Sequence, residues 1–296
     1  MDISLIICTR DRCQHLARSL ESLQKIKFAR SWELIIVDNG SIDATTATVK
    51  TFAKCFPGKM AYLFEPRFGL GNAHNSGLAI ASGDILAFTD DDCYPAPDFL
   101  CKICSVFERD QSLGYISGRI MLHDPQDIPT AVNESMAPLT FPARSFVSVG
   151  SVQGANMAFR RQALVDIGGF DPIFGPGALF NAEDIDAAGR ASAAGWKGRY
   201  CPEVVVRHHH GRKVSDAPYQ WKSAGIGTGA YHMKLLLRGG EWRWFARSVY
   251  EMRRRFGMNR IWVLWEPVGA ARYAYLYMTQ TLRSGIRQGA GSAANE

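Results

Sequence analysis

The sequence lacks a long apolar run, since no 18 consecutive residues among the 296 are all apolar. A helix that spans a membrane needs about 20 predominantly apolar residues, so we predict no transmembrane helix. The segment after Met1-Asp2 is apolar and has neither a basic start nor a small-residue cleavage site, so no signal peptide is expected. Together these absences predict a cytoplasmic protein.

Cysteine is scarce and shows no disulfide framework. The seven cysteines form an odd set without regular spacing, and a chain of this length can build a core without disulfides. This favours a reducing compartment. Cys101 and Cys104 have the spacing of metal ligands, but no second pair lies near them and the run 99–107 has a helical pattern. We interpret both as core residues of a helix rather than as zinc ligands.

The net charge of +6 is modest but unevenly distributed. Seven arginines and only two acids lie between Arg238 and Arg260. Apolar residues in this region recur every three or four positions, at Trp242, Phe245, Val249, Met252 and Phe256. The pattern predicts a basic amphipathic helix, which either lies on an anionic membrane surface or packs on the rest of the protein. Nucleic acid is not an expected partner because no nucleic-acid-binding motif accompanies the arginines.

Strands and helices alternate along the first third of the chain. Apolar runs predict strands at 3–8, 33–37, 60–64 and 84–89, separated by segments with helical periodicity. Later elements are a helix at 97–107, a strand at 114–121, a long functional loop at 123–149, a strand at 152–159, a helix at 182–194 and a strand at 199–206. This order predicts an α/β fold with a mostly parallel sheet flanked by helices. We place a domain boundary at residue 211, before a helical extension at 212–296.

Acidic side chains crowd the end of the fourth predicted strand, at Asp90, Asp91 and Asp92 (hereafter the acidic tip). Adjacent carboxylates repel one another, so a compensating cation is expected. Thr9 and Asp38 follow two other strands, and ligands of open α/β sheets bind beyond the carboxyl ends of the strands. A divalent cation there could bridge to a diphosphate. The sequence therefore predicts a metal and phosphate site, with solvated loop acids as the alternative.

Three further motifs carry weaker signals. The Gly-rich segment 69–77 resembles a phosphate loop but lacks a Gly-Lys-Ser/Thr sequence, so a tight turn with close helix packing is the alternative. Glu183 and Asp184 exceed what the cap of one helix requires, which makes one of them a candidate general base. His208 ends a predicted strand and could bind a metal, although a histidine with no ligand is almost as good an interpretation.

In this order the motifs resemble those of family 2 glycosyltransferases of the GT-A fold, over residues 3–211. They are Ile-Ile-Cys-Thr-Arg-Asp-Arg (6–12), Ile-Ile-Val-Asp-Asn-Gly-Ser (35–41), the Gly71–Gly77 segment, Thr-Asp-Asp-Asp (89–92), Gly-Ala-Asn-Met-Ala-Phe-Arg-Arg (154–161), Gly-Gly-Phe-Asp (168–171), Glu-Asp-Ile-Asp (183–186) and Pro202–His208. The resemblance implies an inverting transferase that uses a nucleotide-diphosphate sugar and Mn²⁺ or Mg²⁺. Because the Gln-x-x-Arg-Trp motif of processive members is absent, we expect transfer of a single sugar.

The resemblance also implies partners and residue roles. The acceptor would be a glycan or a lipid-linked molecule, as in bacterial polysaccharide or glycolipid assembly. The predicted basic amphipathic helix would suit a peripheral position of this cytoplasmic enzyme at the inner face of the membrane. The implied residues are Asp184 and Glu183 for catalysis; Asp92, Asp90 and His208 for the metal; Thr9, Arg10, Asp38, Asn39, Gly71, Asn72, Asn75, Asp90 and Asp91 for the nucleotide sugar; and Gly154 and Asn156 for the donor-sugar and acceptor pocket. Two positions depart from the family pattern, where His74 replaces the usual Arg and Asp11 the usual Asn.

Two alternatives remain at this point. A metal-dependent nucleotidyltransferase would share the sheet and the metal, but such enzymes resemble one another in a Gly-rich loop after the first strand. Residues 8–14 read Cys-Thr-Arg-Asp-Arg-Cys-Gln and contain no glycine. A non-catalytic nucleotide-sugar-binding module on a membrane surface is the second alternative, and the complete acidic motifs argue against it.

Overall fold

The computed structural model of the protein describes residues 2–239, 242–248, 250 and 260–292. The chain divides into two compact units, Met1–Leu179 with Glu183–Ala217, and Phe180–Ala182 with Pro218–Glu296. The boundary expected at residue 211 stays a prediction.

The first unit contains one sheet and its flanking helices. Its strands are β1 (Ile3–Thr9), β2 (Trp32–Asp38), β3 (Lys59–Phe64), β4 (Ile85–Asp90), β5 (Cys93–Pro95), β6 (Leu113–Leu122), β7 (Leu139–Phe141), β8 (Met157–Arg160) and β9 (Lys197–His208). Its helices are α1 (Cys13–Leu23), α2 (Thr45–Ala53), α3 (Leu70–Ile80), α4 (Phe99–Arg109), α5 (Arg161–Asp166) and α6 (Glu183–Ala193). A 3-10 turn at Gly154–Asn156 precedes β8.

The sheet is mostly parallel, as predicted. Its strand order is β3-β2-β1-β4-β8-β6-β9-β5, with β7 pairing on β9. Strands β3, β2, β1 and β4 are parallel neighbours. Because β8 is antiparallel to both β4 and β6, β6 runs in the same direction as β4, and β9 is parallel to β6. Only the short strands β5, β7 and β8 run the other way.

Most predicted elements are confirmed, and the differences occur where the pattern is short. Strands β5 and β7 have three residues each, too few for a periodic signal. The strand predicted at 152–159 begins only at Met157, because the preceding residues form the 3-10 turn. The predicted core helix is α4, where Cys104 is buried and Cys101 partly so.

The strand register brings the expected residues to one edge of the sheet. Thr9 pairs with Asp38 across β1 and β2, and Cys8 pairs with Asp90 across β1 and β4. Six of the seven β1 residues are buried, the exception being Cys8, and most of them are apolar. A rigid, buried parallel ladder therefore fixes the polar groups that follow its strands.

The second unit is helical and includes α7 (Ala217–Gly239) and α8 (Arg260–Ser292). A Cβ atom at Gly225, Gly229 or Gly269 would overlap a backbone carbonyl of the facing helix, so these glycines allow the two helices to approach closely. None of the helices in the described ranges is long and apolar enough to cross a membrane. Of the predicted amphipathic helix, Val249, Met252 and Phe256 lie outside the described residues.

A buried carboxylate on β2 gives a test of the fold. Glu33 accepts hydrogen bonds from the Ser4 and Ser82 hydroxyls and the Ser82 N–H, at 2.6–2.7 Å, and pairs with Lys59 at 2.6 Å. Although burial opposes it, these partners lower the pKa of Glu33 from 4.5 to about 2. Stability that depends on a lowered carboxyl pKa is present above the unfolded pKa and is lost as pH falls through the folded one.

We expect Glu33→Gln to lower the free energy of unfolding by about 1–3 kcal/mol at pH 7, because the amide loses the Lys59 ion pair and brings an N–H donor to the Ser82 N–H. The difference from the native protein should shrink as pH falls from 4.5 toward about 2. Urea unfolding across this range measures it, with the exposed Glu21→Gln as the matched control. If Glu33→Gln were less stable than the native protein by the same amount at the lowest pH, the ionised Glu33 carboxylate would not be the source of the stability.

Candidate active site

An arginine offsets part of the negative charge of the acidic tip. The Thr9 hydroxyl donates to Asp91 Oδ2 at 2.7 Å. Arg12 Nε lies 3.3 Å from Asp91 Oδ1, and Arg12 Nη2 lies 2.5 Å from Asp92 Oδ2. Sequence reasoning required a compensating cation but did not identify Arg12, which follows the neighbouring strand β1. The sequence signal that could have identified Arg12 is its place just after β1, the strand next to β4.

A histidine contacts the other oxygen of Asp92. His208 Nε2 lies 3.1 Å from Asp92 Oδ1, and both side chains are buried. On the opposite side of the ring, His208 Nδ1 donates to the Ala131 carbonyl oxygen at 3.1 Å. In the neutral imidazole this bond places the proton on Nδ1 and leaves the Nε2 lone pair directed at the carboxylate. A second hydrogen bond of this kind is typical of histidines that bind metals.

Burial and mutual repulsion perturb all three carboxylates. Burial, together with the charge of Asp92, raises the pKa of Asp90 to about 6. Burial also raises the pKa of Asp91 to about 7, against the opposing charge of Arg12. Burial opposes the ionised form of Asp92 too, but His208 and Arg12 hold its pKa well below the usual range, and the pKa of His208 rises in return. Of the three carboxylates, Asp92 therefore keeps its negative charge to the lowest pH.

The candidate base is held by two backbone donors at the start of α6. The Gly154 N–H donates to Asp184 Oδ2 at 3.0 Å, and the Ile185 N–H donates to Asp184 Oδ1 at 2.7 Å. Burial raises the pKa of Asp184 and the charge of Asp186 adds to the rise, while the two hydrogen bonds oppose it. A carboxylate with a raised pKa is a stronger base than an ordinary one.

The 3-10 turn before β8 links Asp184 to the acidic tip. Thr89, the residue before Asp90, donates through its hydroxyl to the Ala155 carbonyl at 2.8 Å. The preceding residue, Gly154, donates to Asp184. The charge of Asp184 is near enough to raise the pKa of Asp90. Groups about 90 positions apart in the chain therefore share one site.

The chain is strained immediately before this helix. Ala182 has a φ of +102°, a region that residues with a Cβ rarely adopt. Such conformations persist where the surrounding structure imposes them, often at functional sites. Glu183 follows and is buried, and a Cβ at Gly154 would lie 3.5 Å from its Oε1. Glu183 and Asp184 thus both face the turn that contacts the acidic tip.

Asp38 and Arg10 occupy the far end of the same sheet edge. Asp38 is buried and accepts from the Ser41 N–H at 2.8 Å and from the Tyr62 hydroxyl at 2.7 Å. Asp38 thus holds the turn that follows β2, and a contact of its carboxylate with the nucleotide stays a prediction. Arg10 is exposed, and its guanidinium carbon lies 3.8 Å from the centroid of the exposed Phe68 ring.

The departure at Asp11 is explained by the backbone. Asp11 has a φ of +52°, in the left-handed region that Asn and Asp tolerate better than other residues with a Cβ. Its carboxylate accepts from the Ile42 N–H at 2.7 Å, and its N–H donates to the Ser41 hydroxyl at 2.9 Å. Asp11 therefore performs the same turn function that Asn would.

Both the amide nitrogen and the amide oxygen of Asn39 form hydrogen bonds with the loop after β3. Its amide nitrogen donates to the Glu65 and Arg67 carbonyls at 3.0 and 2.7 Å, and its amide oxygen accepts from the Gly69 N–H at 3.0 Å. A direct contact of this side chain with the nucleotide stays a prediction.

Two residues of the Gly-rich segment hold the loop near residue 170. Asn75 donates to the Phe170 carbonyl and accepts from the Phe170 N–H, both at 2.8 Å. A Cβ at Gly71 would come within 2.8 Å of the Asp171 carbonyl oxygen and 2.9 Å of that of Phe174, so only glycine fits. These contacts favour the close-packing interpretation of this segment over a phosphate loop.

Asn72 and Asn156 also donate to backbone carbonyls. Asn72 donates to Phe68 at 2.9 Å and remains partly exposed. Asn156 is buried, and its amide donates to the carbonyls of Arg119 and Val204 at 3.0 and 2.9 Å, across the irregular register between β6 and β9. Of the two predicted pocket residues, Gly154 reaches the candidate base, whereas Asn156 supports the sheet behind it.

Two groups of side chains within the described ranges have metal-ligand geometry. Ligand atoms of Asp90, Asp92, Cys93 and His208 all lie within 4.8 Å of one another. Burial raises the pKa of the Cys93 thiol well above its ordinary value, which makes it a poor ligand. The two carboxylates and the imidazole suit a hard divalent cation such as Mg²⁺ or Mn²⁺.

The second group consists of Asp124, Asp127 and His209. Here Lys213 Nζ already lies 2.8 Å from Asp127 Oδ1 and 3.7 Å from Asp124 Oδ2. An ammonium group thus neutralises these acids, and the site at the acidic tip is the better candidate for a metal.

Comparison with known proteins assigns the family. Residues 4–168, more than half of the chain, match the sequence pattern of Glycosyl transferase family 2. The chain belongs to glycosyl transferase family 2. Over 222 residues this glycosyltransferase is 28% identical to the pre-mycofactocin glycosyltransferase of Mycobacterium tuberculosis, an alignment that covers 73% of the chain and 44% of that relative. The chain therefore spans less than half the length of this relative.

Solved structures confirm the GT-A fold of this glycosyltransferase. The mannosyltransferase PcManGT from Pyrobaculum calidifontis, in complex with GDP-Man and Mn²⁺, matches with a TM-score of 0.64 and 20% identity, over 98% of this chain and 79% of that one. Residues 1–349 of S. aureus TarS, in complex with UDP-GlcNAc, match with a TM-score of 0.64 and 18% identity, over 88% of this chain and 74% of that one.

His74, the other departure of this glycosyltransferase from the family pattern, is a core residue. Its ring is buried between Phe88 and Phe170, with centroid distances of 4.9 and 4.6 Å. Burial lowers the pKa of His74 to about 3, so the imidazole is neutral near pH 7. Its Nδ1 has no hydrogen-bond partner within the described part of the chain. His74 therefore does not supply the fixed charge that an Arg would bring.

We expect His74→Met to change the free energy of unfolding by less than about 1.5 kcal/mol, because Met fills a similar apolar volume. The Kd for the nucleotide-sugar donor should not change, since the imidazole carries no charge near pH 7. Urea unfolding and calorimetric titration of the donor measure the two quantities. A folded variant that binds the donor about tenfold more weakly would show that His74 contacts it.

Proposed function

We propose that this family 2 glycosyltransferase transfers one sugar from a nucleotide-diphosphate sugar to an acceptor hydroxyl, with inversion at the anomeric carbon. The observation that carries the proposal is the convergence of Asp184 and the acidic tip through the Gly154–Asn156 turn. One group can then act on the acceptor while the other holds the donor diphosphate.

Asp90, Asp92 and His208 would hold a divalent cation, Mn²⁺ or Mg²⁺. The fit rests on the clustered ligand atoms and on the His208 tautomer that the Ala131 carbonyl selects. When bound, such a cation offsets the negative charge of a departing diphosphate. Arg12 contacts Asp92 Oδ2 and would have to share or release this oxygen when a cation binds.

The nucleotide would lie along the edge formed by β1, β2 and β4. Asp38 can accept from a base N–H or a ribose hydroxyl, and Arg10 stands exposed beside it. The complexes of PcManGT with GDP-Man and of TarS with UDP-GlcNAc support a nucleotide-sugar donor for the shared fold. The identity of the base would depend on the side chains at this end of the edge.

Asp184 would remove the proton of the acceptor hydroxyl as its oxygen attacks the anomeric carbon. The Gly154 and Ile185 N–H groups fix the carboxylate, so it needs little reorientation to accept the proton. Attack from the face opposite the departing diphosphate inverts the configuration, through a transition state of oxocarbenium character.

The acceptor would be a glycan or a lipid-linked molecule, and the enzyme would work at the cytoplasmic membrane surface. Trp242, Leu264 and Tyr275 are exposed in the helical unit, and arginines are concentrated in the same part of the sequence. Aromatic and basic side chains of this kind bind anionic membrane interfaces. Bacterial polysaccharide or glycolipid assembly would use such a location.

We expect Asp184→Asn to lower kcat by about 10²–10⁴-fold, because the amide cannot accept the proton. The Kd for the donor should stay close to that of the native protein, because the substitution leaves the acidic tip intact. Transfer assays and calorimetric titration separate the two effects, with the exposed Asp84→Asn as a control. Transfer at the native rate by Asp184→Asn would remove Asp184 as the base.

Arg12 gives a test of the cation site that does not depend on turnover. We expect Arg12→Gln to bind Mn²⁺ several-fold more tightly in the absence of nucleotide, because a competing positive charge is lost. The cation-free variant should be about 1–3 kcal/mol less stable, since Asp91 and Asp92 lose their shared partner. Electron paramagnetic resonance of free Mn²⁺ and urea unfolding measure these effects.

Two comparisons complete the cation experiment. Arg10→Gln removes an equal charge from the same loop without a partner in the acidic tip and should bind Mn²⁺ like the native protein. Asp92→Ala should not bind Mn²⁺ at this site. Weaker Mn²⁺ binding by Arg12→Gln would mean that Arg12 positions Asp92 for the cation instead of competing with it.

A further inference from the structure

A cleft separate from the acidic tip lies between α1 and the β5–β9 ladder. Its volume is about 260 Å³, and it is lined by Arg18, Glu21, Ser22, Lys25, Tyr94, His123 and Arg207. Ligand pockets for drug-sized molecules occupy about 300–1,000 Å³. The cleft therefore suits one small group rather than a whole nucleotide.

Strand alternation separates this cleft from the catalytic edge. Successive side chains on a strand point to opposite faces. His208 contacts Asp92, whereas Arg207, the preceding residue on β9, lines the cleft and pairs in register with Tyr94 of β5. A ligand in the cleft would thus lie on the other face of the ladder from the proposed cation.

The walls of the cleft are fixed by hydrogen bonds. The Ser19 hydroxyl of α1 donates to the Cys93 carbonyl of β5 at 2.9 Å, which joins the helix to the strand. The Tyr94 hydroxyl lies 3.3 Å from His209 Nδ1. Arg18 and Ser22 lie one turn apart on α1, and Lys25 follows the end of this helix, so one segment supplies one wall.

The cations of the cleft have no carboxylate partner. Within the described ranges, Arg18, Lys25 and Arg207 form no ion pair, in contrast to Arg12 and Lys213. Burial lowers the pKa of His123, so this imidazole is neutral near pH 7. Three cationic side chains and the single carboxylate of Glu21 leave a net charge of +2.

We propose that this cleft is a second binding site, which takes a phosphoryl group. Guanidinium groups match the geometry of phosphate oxygens and bind them with two parallel hydrogen bonds. A phosphate monoester carries a charge of about −1.5 to −2 at pH 7, which balances the charge of the cleft.

The phosphoryl group could belong to a soluble molecule or to a lipid headgroup. Arg18, Lys25 and Arg207 are exposed, so a phosphate attached to a larger molecule can reach them. Both sources share the same chemistry at the cleft, and experiments can separate them.

The test uses the full chain, freed of divalent cations with a chelator and without nucleotide. Inorganic phosphate and pyrophosphate are titrated by ³¹P NMR and calorimetry into the native protein and the double variant Arg18→Gln/Arg207→Gln. We expect the native protein to bind and the double variant to bind at least about tenfold more weakly, since two of the three cations are lost. The matched control is Lys50→Gln/Lys54→Gln, two exposed cations one turn apart on and after α2, which should bind like the native protein.

A second arm identifies the source of the phosphate. Neutral phosphatidylcholine vesicles with and without phosphatidic acid are sedimented with the same proteins. If phosphatidic acid causes sedimentation of the native protein and only the cleft variant loses it, the site is supported and its ligand is a lipid headgroup. If only the binding of free phosphate is weakened in the cleft variant, the site is supported and its ligand is a soluble anion. Equal phosphate binding by both double variants, or no binding by the native protein at about 10 mM phosphate, would overturn the proposal.

Discussion

Electrostatic repulsion among three adjacent carboxylates is the constraint around which this site is built. Asp90, Asp91 and Asp92 end one strand of a buried parallel ladder, where water cannot screen them fully. The compensating partners are Thr9 at the end of the neighbouring strand β1, Arg12 just after that strand, and His208 of β9. Because these partners come from two other segments of the chain, the acidic tip can form only when the sheet has assembled.

A second constraint, the hydrogen bonding of buried backbone groups, explains why several polar side chains near the site bind backbone. Asn39 and Asn75 satisfy backbone groups of loops without regular structure, and Asn156 satisfies carbonyls at the irregular register between β6 and β9. Buried backbone groups need such partners, and an irregular loop cannot supply them from its own ladder. The amide side chains thus make rigid the loops that surround the donor edge, and pre-organisation of this kind lowers the cost of binding.

Local sequence patterns predicted the framework, because strand and helix periodicity and the crowding of acids are properties of short segments. The register of β1, β2 and β4 then followed from the parallel α/β order. Arg12 and the Ala131 carbonyl could not be identified in the same way, since their roles depend on which loops meet in space. The asparagines show the related limit, because one amide can bind a ligand or a loop and the sequence does not distinguish the two. Asp184 was assigned through family resemblance, and its approach to the acidic tip depends on a 3-10 turn that short-range patterns did not indicate.

The end of β9 brings two opposite electrostatic environments within one residue of each other. His208 faces acids that need positive charge, while Arg207 faces a cleft whose net charge is positive. An uncompensated cluster of charges of either sign costs free energy in a folded protein. The acids and the cations lie on opposite faces of one thin ladder, so the two clusters interact electrostatically across it. Indeed Arg18 and Asp92 both act on the pKa of Tyr94, with opposite signs. The excess positive charge on one face therefore offsets part of the repulsion on the other, and a phosphoryl group in the cleft would remove some of that compensation from the acidic tip.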